Sequence, residues 1–363
     1  MTTVSLGLPP TRRASKAAVA DRPDSPFLID THGRRAKDLR VSLTDRCNLR
    51  CTYCMPAEGL DWMPTDRVLS DAELLRLLRI AVTDLGVQEI RFTGGEPLLR
   101  KGIVDLIGQT TALRPRPEVS LTTNGLGLAH KAKALAAAGL DRVNISLDTL
   151  QPDTFAALTR RRRHADVIAA LAAASDAGLR PVKINTVLMR GVNDHEAGDL
   201  LDVALTHGYH LRFIEQMPLD AGHVWNREAM VTADEIQARL SERFELLPHP
   251  APRDGAPAEL FDVAGRSLAG DPGTNPATVG IIASVTRPFC GDCDRTRLTA
   301  DGQVRNCLFA RSETDLRHLL RSGADDLAIA EAWRAAMWGK LPGHGIDDPS
   351  FLQPDRPMSA IGG

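Results

Sequence analysis

Residues 39–54 read Leu39-Arg40-Val41-Ser42-Leu43-Thr44-Asp45-Arg46-Cys47-Asn48-Leu49-Arg50-Cys51-Thr52-Tyr53-Cys54. The first part, Leu39 to Thr44, alternates apolar and polar side chains, as a β-strand with one buried face does. The second part is a loop with the spacing Cys47-x3-Cys51-x2-Cys54. A strand that runs straight into a cysteine loop puts the cysteines at its carboxyl end. In parallel α/β sheets and barrels, that end is where sites are built.

The same unit recurs outward from this stretch. Candidate strands are Leu39–Thr44, Glu89–Thr93, Val119–Thr122, Arg142–Ser146, Val182–Leu188 and Leu211–Glu215, with amphipathic segments at Asp71–Leu85, Lys101–Leu113, Ala129–Ala138, Ala165–Ala177 and His195–His207. Ser70 with Glu73 forms a capping box, and Gly86, Gly139, Gly178 and Gly208 fall just past helical stretches, as C′ glycines do. Six βα units predict an α/β fold with a parallel sheet, either open or curled toward a barrel two units short of the closed eight. The strands end in Thr44, Thr93, Thr122, Ser146 and Glu215. One polar strand end is ordinarily a turn residue; five in register suggest a site.

After Met217 the pattern changes. A helix is predicted over Asp234–Phe244, then a Pro- and Gly-rich loop over Pro248–Pro276 with a short strand near Glu259–Val263. A strand over Val279–Val285 precedes a second cysteine group, an Ala300-Asp301-Gly302 hairpin signal, and helices over Asp315–Leu320 and Leu327–Trp338. The predicted organisation is a disordered tail over 1–26, a partial barrel over 27–230, a C-terminal domain over 231–350 and a tail over 351–363.

Of 363 residues 43% are hydrophobic, ample for a large core. Lys plus Arg number 44 against 46 Asp plus Glu, so no global field holds this chain on nucleic acid or an anionic membrane, and any phosphate must be bound locally. No apolar run is long enough to span a bilayer. The first 26 residues lack an apolar h-region; Arg12, Arg13 and Lys16 give them a faint likeness to a transit peptide. The expected location is cytoplasmic.

Six cysteines fall in two groups of three: Cys47, Cys51, Cys54, and Cys290-x2-Cys293-x13-Cys307. Disulfide pairing within a group leaves an odd thiol, whereas soft-metal chemistry in a reducing compartment suits local triplets. Three thiolates hold three irons of a [4Fe–4S] cubane and leave the fourth without a protein ligand. Two zinc readings stand beside this: Cys51 and Cys54 joined with Cys290 and Cys293, or a knuckle at the second group completed by His318. Gly94-Gly95-Glu96-Pro97 follows the second strand, with glycines that allow close backbone approach. Arg40 and Arg91 on core strands need a partner, because a buried charge is costly alone. Arg160 to Arg163 read as solvated surface, or as a contact to phosphate near the barrel mouth.

The triplet with its aromatic Tyr53, followed by Gly94-Gly95-Glu96-Pro97, resembles the radical S-adenosylmethionine (SAM) family. From about Phe27 to the last residue the chain is similar to one branch, the GTP 3′,8-cyclases of molybdenum cofactor biosynthesis. The likeness rests on residues 39–47, 91–97, 121–125, 144–148, 183–187, 211–217, 289–297 and the terminal Gly362-Gly363. It implies an incomplete (βα)6 TIM-like barrel of the radical SAM type, its open side closed by a C-terminal α+β region. It further implies two [4Fe–4S] clusters, on Cys47, Cys51 and Cys54 and on Cys290, Cys293 and Cys307. SAM, bound through the open iron of the first cluster and by Tyr53, Gly94, Gly95, Glu96, Ser146 and Met217, is cleaved there. The deoxyadenosyl radical takes the 3′ hydrogen of GTP, whose ribose closes on carbon 8 to give 3′,8-cyclo-7,8-dihydro-GTP.

By the same resemblance GTP is held by Arg40, Arg91, Thr122, Lys183, Arg295, Thr296 and Arg297, with its guanine at the second cluster, and Arg295 and Arg297 also serve catalysis. Gly362 and Gly363 reach the active site. An external electron donor, a downstream cyclic pyranopterin monophosphate synthase and a homodimer are implied, without nucleic acid or membrane. Two rivals remain. A radical SAM peptide or cofactor maturase typically carries more C-terminal cysteines and lacks Cys-x2-Cys-x-Arg-x-Arg. A non-catalytic iron–sulfur carrier or zinc protein leaves the Gly-Gly-Glu-Pro turn and the polar strand ends unexplained.

Overall fold

The computed structural model describes residues 22–269 and 276–362, so most of the tail expected over 1–26, and Gly363, lie outside the described residues. Six parallel strands pair in chain order: β1 (Asp38–Ser42), β2 (Glu89–Thr93), β3 (Glu118–Thr123), β4 (Arg142–Ser146), β5 (Val182–Val187) and β6 (His210–Ile214). Each lies within two residues of its predicted span.

Helices α1 (Asp71–Thr83), α2 (Ile103–Thr111) and α3 (Leu128–Ala137) follow the first three strands. Ser70 and Glu73 form the predicted capping box on α1. After β4 come two helices, α4 (Pro152–Thr159) and α5 (His164–Asp176). Sequence reading missed α4, which is only eight residues long. Its Pro152 stands in the first turn, where a missing N–H costs nothing. α6 (Ala197–His207) follows β5.

The rest of the chain joins the same sheet. After α7 (Ala233–Ser241), strands β7 (Leu246–Pro248), β8 (Glu259–Val263) and β9 (Ala277–Ile282) form an antiparallel meander, in which β8 and β9 overlap the strands expected near Glu259–Val263 and over Val279–Val285, and β7 was not expected. Pro248 is tolerated because β7 is an edge strand. β9 pairs parallel with β6, while β10 (Arg295–Leu298) pairs parallel with β1. β11 (Gln303–Arg305) and β12 (Thr314–Asp315) extend that edge. The parallel array is thus β10-β1-β2-β3-β4-β5-β6-β9, eight strands contributed by both parts of the chain, in a sheet that does not close on itself. Only residues 283–294 link β9 at one edge to β10 at the other, and this bridge carries Cys290 and Cys293. α8 (Leu316–Arg321), α9 (Asp326–Trp338) and the terminal α10 (Met358–Ile361) complete the fold.

Strand alternation sorts the side chains. Leu39, Val41, Ile90, Phe92, Leu211 and Phe213 face outward into the helical layer, each 0–1% exposed. The inner face presents Arg40, Arg91, Thr122, Ser146, Asn185 and Arg212. Closed barrels fill this space with branched apolar side chains. Here it is polar and cationic, which makes it a site.

Candidate active site

The first cysteine loop is clamped from several directions. Arg50 N–H donates to Thr159 O (3.0 Å) and Thr52 N–H to Leu158 O (2.9 Å), both at the end of α4. Arg160, in a left-handed turn at φ 55°, donates to Arg50 O (2.8 Å) and Met55 O (3.1 Å). Arg50 in turn donates to Cys47 O (2.7 Å). Arg162 and Arg163 make surface pairs with Asp153 and Asp166, and none of the four arginines lines the cavities described below. All four arginines are exposed, as expected of solvated surface, and Arg160 in addition clamps the cysteine loop.

Cys47, Cys51 and Cys54 are free, half-buried thiols lining one cavity with Tyr53, Gly94, Gly95, Thr122 and Ser146. Burial raises all three, Cys51 well above the ordinary thiol value and Cys54 to about 12. A bound cation would reverse this, since a coordinating thiol is deprotonated outright. Gly95 is dictated by close approach, because a Cβ there would lie 2.3 Å from Arg46 O. Tyr53 O–H donates to Asp148 (2.7 Å), which also accepts from Val187 N–H (2.9 Å) and is pushed up to about 6 by burial.

Glu96 is turned away from this cavity. Fully buried, it accepts from Leu98 N–H (2.9 Å), Thr123 Oγ1 (2.7 Å) and Asn124 N–H (2.7 Å). Burial pushes it up to about 7 against those bonds. Its side chain staples the loops after β2 and β3 together, and of the motif Gly94 and Gly95 line the cavity.

The second triad lies at the other end of the barrel. β-register places Arg295 opposite Asp38, at the amino end of β1, and Arg305 opposite Arg297. Cys293 precedes the one and Cys307 follows the other by two residues, so both fall at that amino end. Cys290, Cys293 and Cys307 line one cavity with Met217, Arg295, Arg297 and His344. Burial raises Cys290, whereas at Cys293 Arg295 and Lys340 outweigh burial and lower it. His318 is exposed on α8. The histidine at this triad is His344, whose Nε2 bonds Ser284 O (3.0 Å) and whose Nδ1 accepts from Ile346 N–H (3.2 Å). Both ring nitrogens are spent. The two triads line separate cavities, which disposes of a zinc site shared between them. Among the described residues, no three His, Cys, Asp or Glu groups converge as a single ion requires. A cubane takes its thiolates at separate corners, and each triad of free thiols around one cavity suits that demand.

Between the triads the cavities adjoin, sharing wall residues. Thr122 and Ser146 are shared with the space at the first triad, and Met217 borders both the middle space and that at the second triad. Arg40, Arg91, Arg212, Arg295 and Arg297 line the middle. Asp38, bonded by Arg40 (2.9 Å), is held far below the usual carboxylate range by Arg40, Arg91 and Arg295 despite its burial. Burial and neighbouring cations lower Arg91 strongly, Arg212 to about 10 and Arg297 to about 9. Cations that disfavour one another's charge define a site awaiting an anion. Lys183, lowered to about 7 by burial, Arg212, Arg142 and Arg91, lies one rung beyond, on the face of β5 that carries Asn185.

Thr296 is the exception on β10. Its side chain points outward and accepts from Trp333 Nε1 (3.0 Å) of α9, as alternation demands when Arg295 and Arg297 point in. The tail reaches the site. Met358 and Ser359 line the first cavity, and Gly362 O accepts from Arg297 Nη1. Gly362 has φ 87°, and a Cβ there would lie 2.8 Å from Thr93 Cγ2. Gly363 lies outside the described residues. Sequence reading missed Arg212, Asp148 and His344; for Arg212 the signal was present, a charged residue between the apolar positions of a core strand.

Residues 41–204 match the model of the radical SAM superfamily, and residues 209–346 that of the molybdenum cofactor synthesis C family. A Streptomyces coelicolor protein named GTP 3′,8-cyclase is 63% identical over 95% of this chain and 98% of its own. A Mycolicibacterium smegmatis protein of the same name is 58% identical over the full length of both. Among solved structures, Streptococcus suis SuiB bound to precursor peptide SuiA shares the fold: TM-score 0.55, 14% identity, 80% of this chain and 65% of that one.

Proposed function

The chain belongs to the GTP 3′,8-cyclase family of radical SAM proteins, and from that premise we propose that it converts GTP to 3′,8-cyclo-7,8-dihydro-GTP, the first step of molybdenum cofactor biosynthesis. One observation carries the reading: cavities that share wall residues run from one cysteine triad to the other past a cluster of cations. A nucleotide triphosphate supplies the anion this cluster lacks.

Cys47, Cys51 and Cys54 would hold the first [4Fe–4S] cluster, and Cys290, Cys293 and Cys307 the second. When bound, the first supplies the electron that cleaves SAM to the radical that takes the 3′ hydrogen of GTP, and the second offers the guanine an iron without a protein ligand. Around SAM stand Tyr53, Gly94, Gly95, Ser146 and Met217, with Tyr53 braced by Asp148. Glu96 acts through the two loops it joins. Arg40, Arg91, Arg212, Arg295 and Arg297 take the triphosphate by bidentate contacts and Lys183 as a point charge, while Thr122 orients the nucleotide between the two ends. Thr296 supports its arginine neighbours from the core side. The tail, through Gly362, fixes Arg297 and excludes water from the first cavity. The reading includes an external electron donor, a downstream cyclic pyranopterin monophosphate synthase, a homodimer and a reducing, cytoplasmic setting.

The test is anaerobic reconstitution followed by SAM, dithionite and GTP. About eight irons per chain are expected, with 5′-deoxyadenosine and cyclised nucleotide formed only when GTP is present. Cys47→Ser should abolish SAM cleavage, and Cys290→Ser should spare the first cluster. About four irons in the wild type, or SAM cleavage indifferent to GTP, would refute the proposal.

A further inference from the structure

Lys340 follows α9 and is only 4% exposed. Its ammonium donates to Cys293 O (3.0 Å), Cys293 Sγ (3.3 Å) and Arg295 O (2.9 Å). All three protons go to one short piece of chain. Among the described residues no carboxylate lies within ion-pair distance of it; the basic groups paired there are arginines and one histidine. A buried ammonium without an anion is costly, and the group in reach that can carry negative charge is the Cys293 sulfur. Within the second triad, Cys293 is the one whose sulfur receives a side-chain hydrogen bond among the described residues.

The opposite end of the same turn is gripped by another buried cation. Arg34, paired with Asp30 (2.6 Å), donates to Cys290 O (2.5 Å) and to Pro342 O (3.0 Å), two residues beyond Lys340. At this turn Arg34 donates to carbonyls and to no sulfur, and its charge is paired with Asp30. Lys340 reaches the sulfur as well.

We propose that Lys340 is a positioning residue that fixes Cys293 and acts as the charge partner of a cluster on Cys290, Cys293 and Cys307, raising that cluster's reduction potential. Positive charge and hydrogen bonding at a thiolate favour the reduced cluster, which carries one more electron; net charge and sulfur hydrogen bonds are two of the main determinants of such potentials. This inference rests on the two-cluster reading above, and the experiment separates the two.

The full chain carrying Cys47→Ser, Cys51→Ser and Cys54→Ser is reconstituted, and its remaining cluster titrated by electron paramagnetic resonance. Failure of this background to hold about four irons would overturn the two-cluster reading, and the inference with it. Lys340→Met removes charge and hydrogen bonds, Lys340→Gln keeps a donor without the charge, and Lys340→Arg keeps the charge. With iron content retained, both neutral variants should titrate at lower potential, the reduced-to-oxidised ratio at fixed potential falling about tenfold, as for loss of a charged hydrogen bond. Lys340→Arg should stay near the parent. Loss of the cluster in both neutral variants but not in Lys340→Arg would support the same role. An unchanged midpoint in the neutral variants, or Lys340→Arg behaving like them, would overturn the inference while leaving the two-cluster reading intact.

Discussion

Asp38 is the carboxylate bonded within the inner cation cluster, and Arg40 takes both its oxygens. Charge in excess of that pair is tolerable only because the cavity is wet or filled by an anion. Lys183 reports which. Burial and the cations Arg212, Arg142 and Arg91 lower it to about 7, with Glu118 a weaker opposing influence. A triphosphate would restore the charged form. Below about pH 7 the lysine is already protonated, so affinity is full; above it, binding must recruit a proton and affinity falls as pH rises. Calorimetry of GTP binding near pH 8 in buffers of different ionisation enthalpy should show proton uptake approaching one per nucleotide. Lys183→Met should abolish the uptake, and equal uptake by both proteins would exclude Lys183 as its source.

The short helix α4 shows how an element can matter more by its end than by its length. Its last carbonyls accept from Arg50 and Thr52, and Arg160 just beyond reaches back to Arg50 O and Met55 O. Four hydrogen bonds thus hold the first cysteine loop and the residue just after it. Arg160→Ala should cost about 1 kcal/mol of stability, with faster iron loss from the first cluster under chelator challenge and unchanged loss from the second. Arg160→Gly relaxes the left-handed backbone yet loses the same clamp. If the glycine variant kept its iron like the wild type, the clamp would be irrelevant.

At the scale of the whole molecule, buried carboxylates tie the loops at the carboxyl ends of the strands. Glu96 joins the loops after β2 and β3, and Glu196 takes Thr149 Oγ1 (2.5 Å) and Leu150 N–H (2.8 Å) after β4. Glu215, at the end of β6, accepts from Ala233 N–H (2.7 Å) at the start of α7 and from Val285 N–H (2.8 Å) and Thr286 N–H (2.9 Å) after β9. It is the stitch between the six-stranded barrel and the strands that extend it. Glu215→Ala removes the acceptor of two buried donors, Ala233 N–H and Val285 N–H, and of the half-buried N–H and hydroxyl of Thr286, and should destabilise the fold by about 3 kcal/mol or more, read as a lowered denaturation midpoint. A loss below about 1 kcal/mol would mean that water replaces the carboxylate.

Local patterns were sufficient for the βα repeat, the two cysteine triplets and the placement of Arg40 and Arg91 on core strands, because periodicity and spacing act over a few residues. Where the extending strands go was not legible. The chain around β9 and β10 looks like a single C-terminal region, yet its strands occupy opposite edges of the parallel array, and only hydrogen bonding to distant strands, β9 to β6 and β10 to β1, decides that. Tertiary contact likewise hid the roles of Glu96, Glu215, Arg160 and Lys340. Each is a polar side chain with backbone partners supplied by another segment, and a backbone group has no residue type to announce it. Chemistry that resides in side-chain identity is written locally; chemistry that resides in who meets whom exists only once the chain has folded.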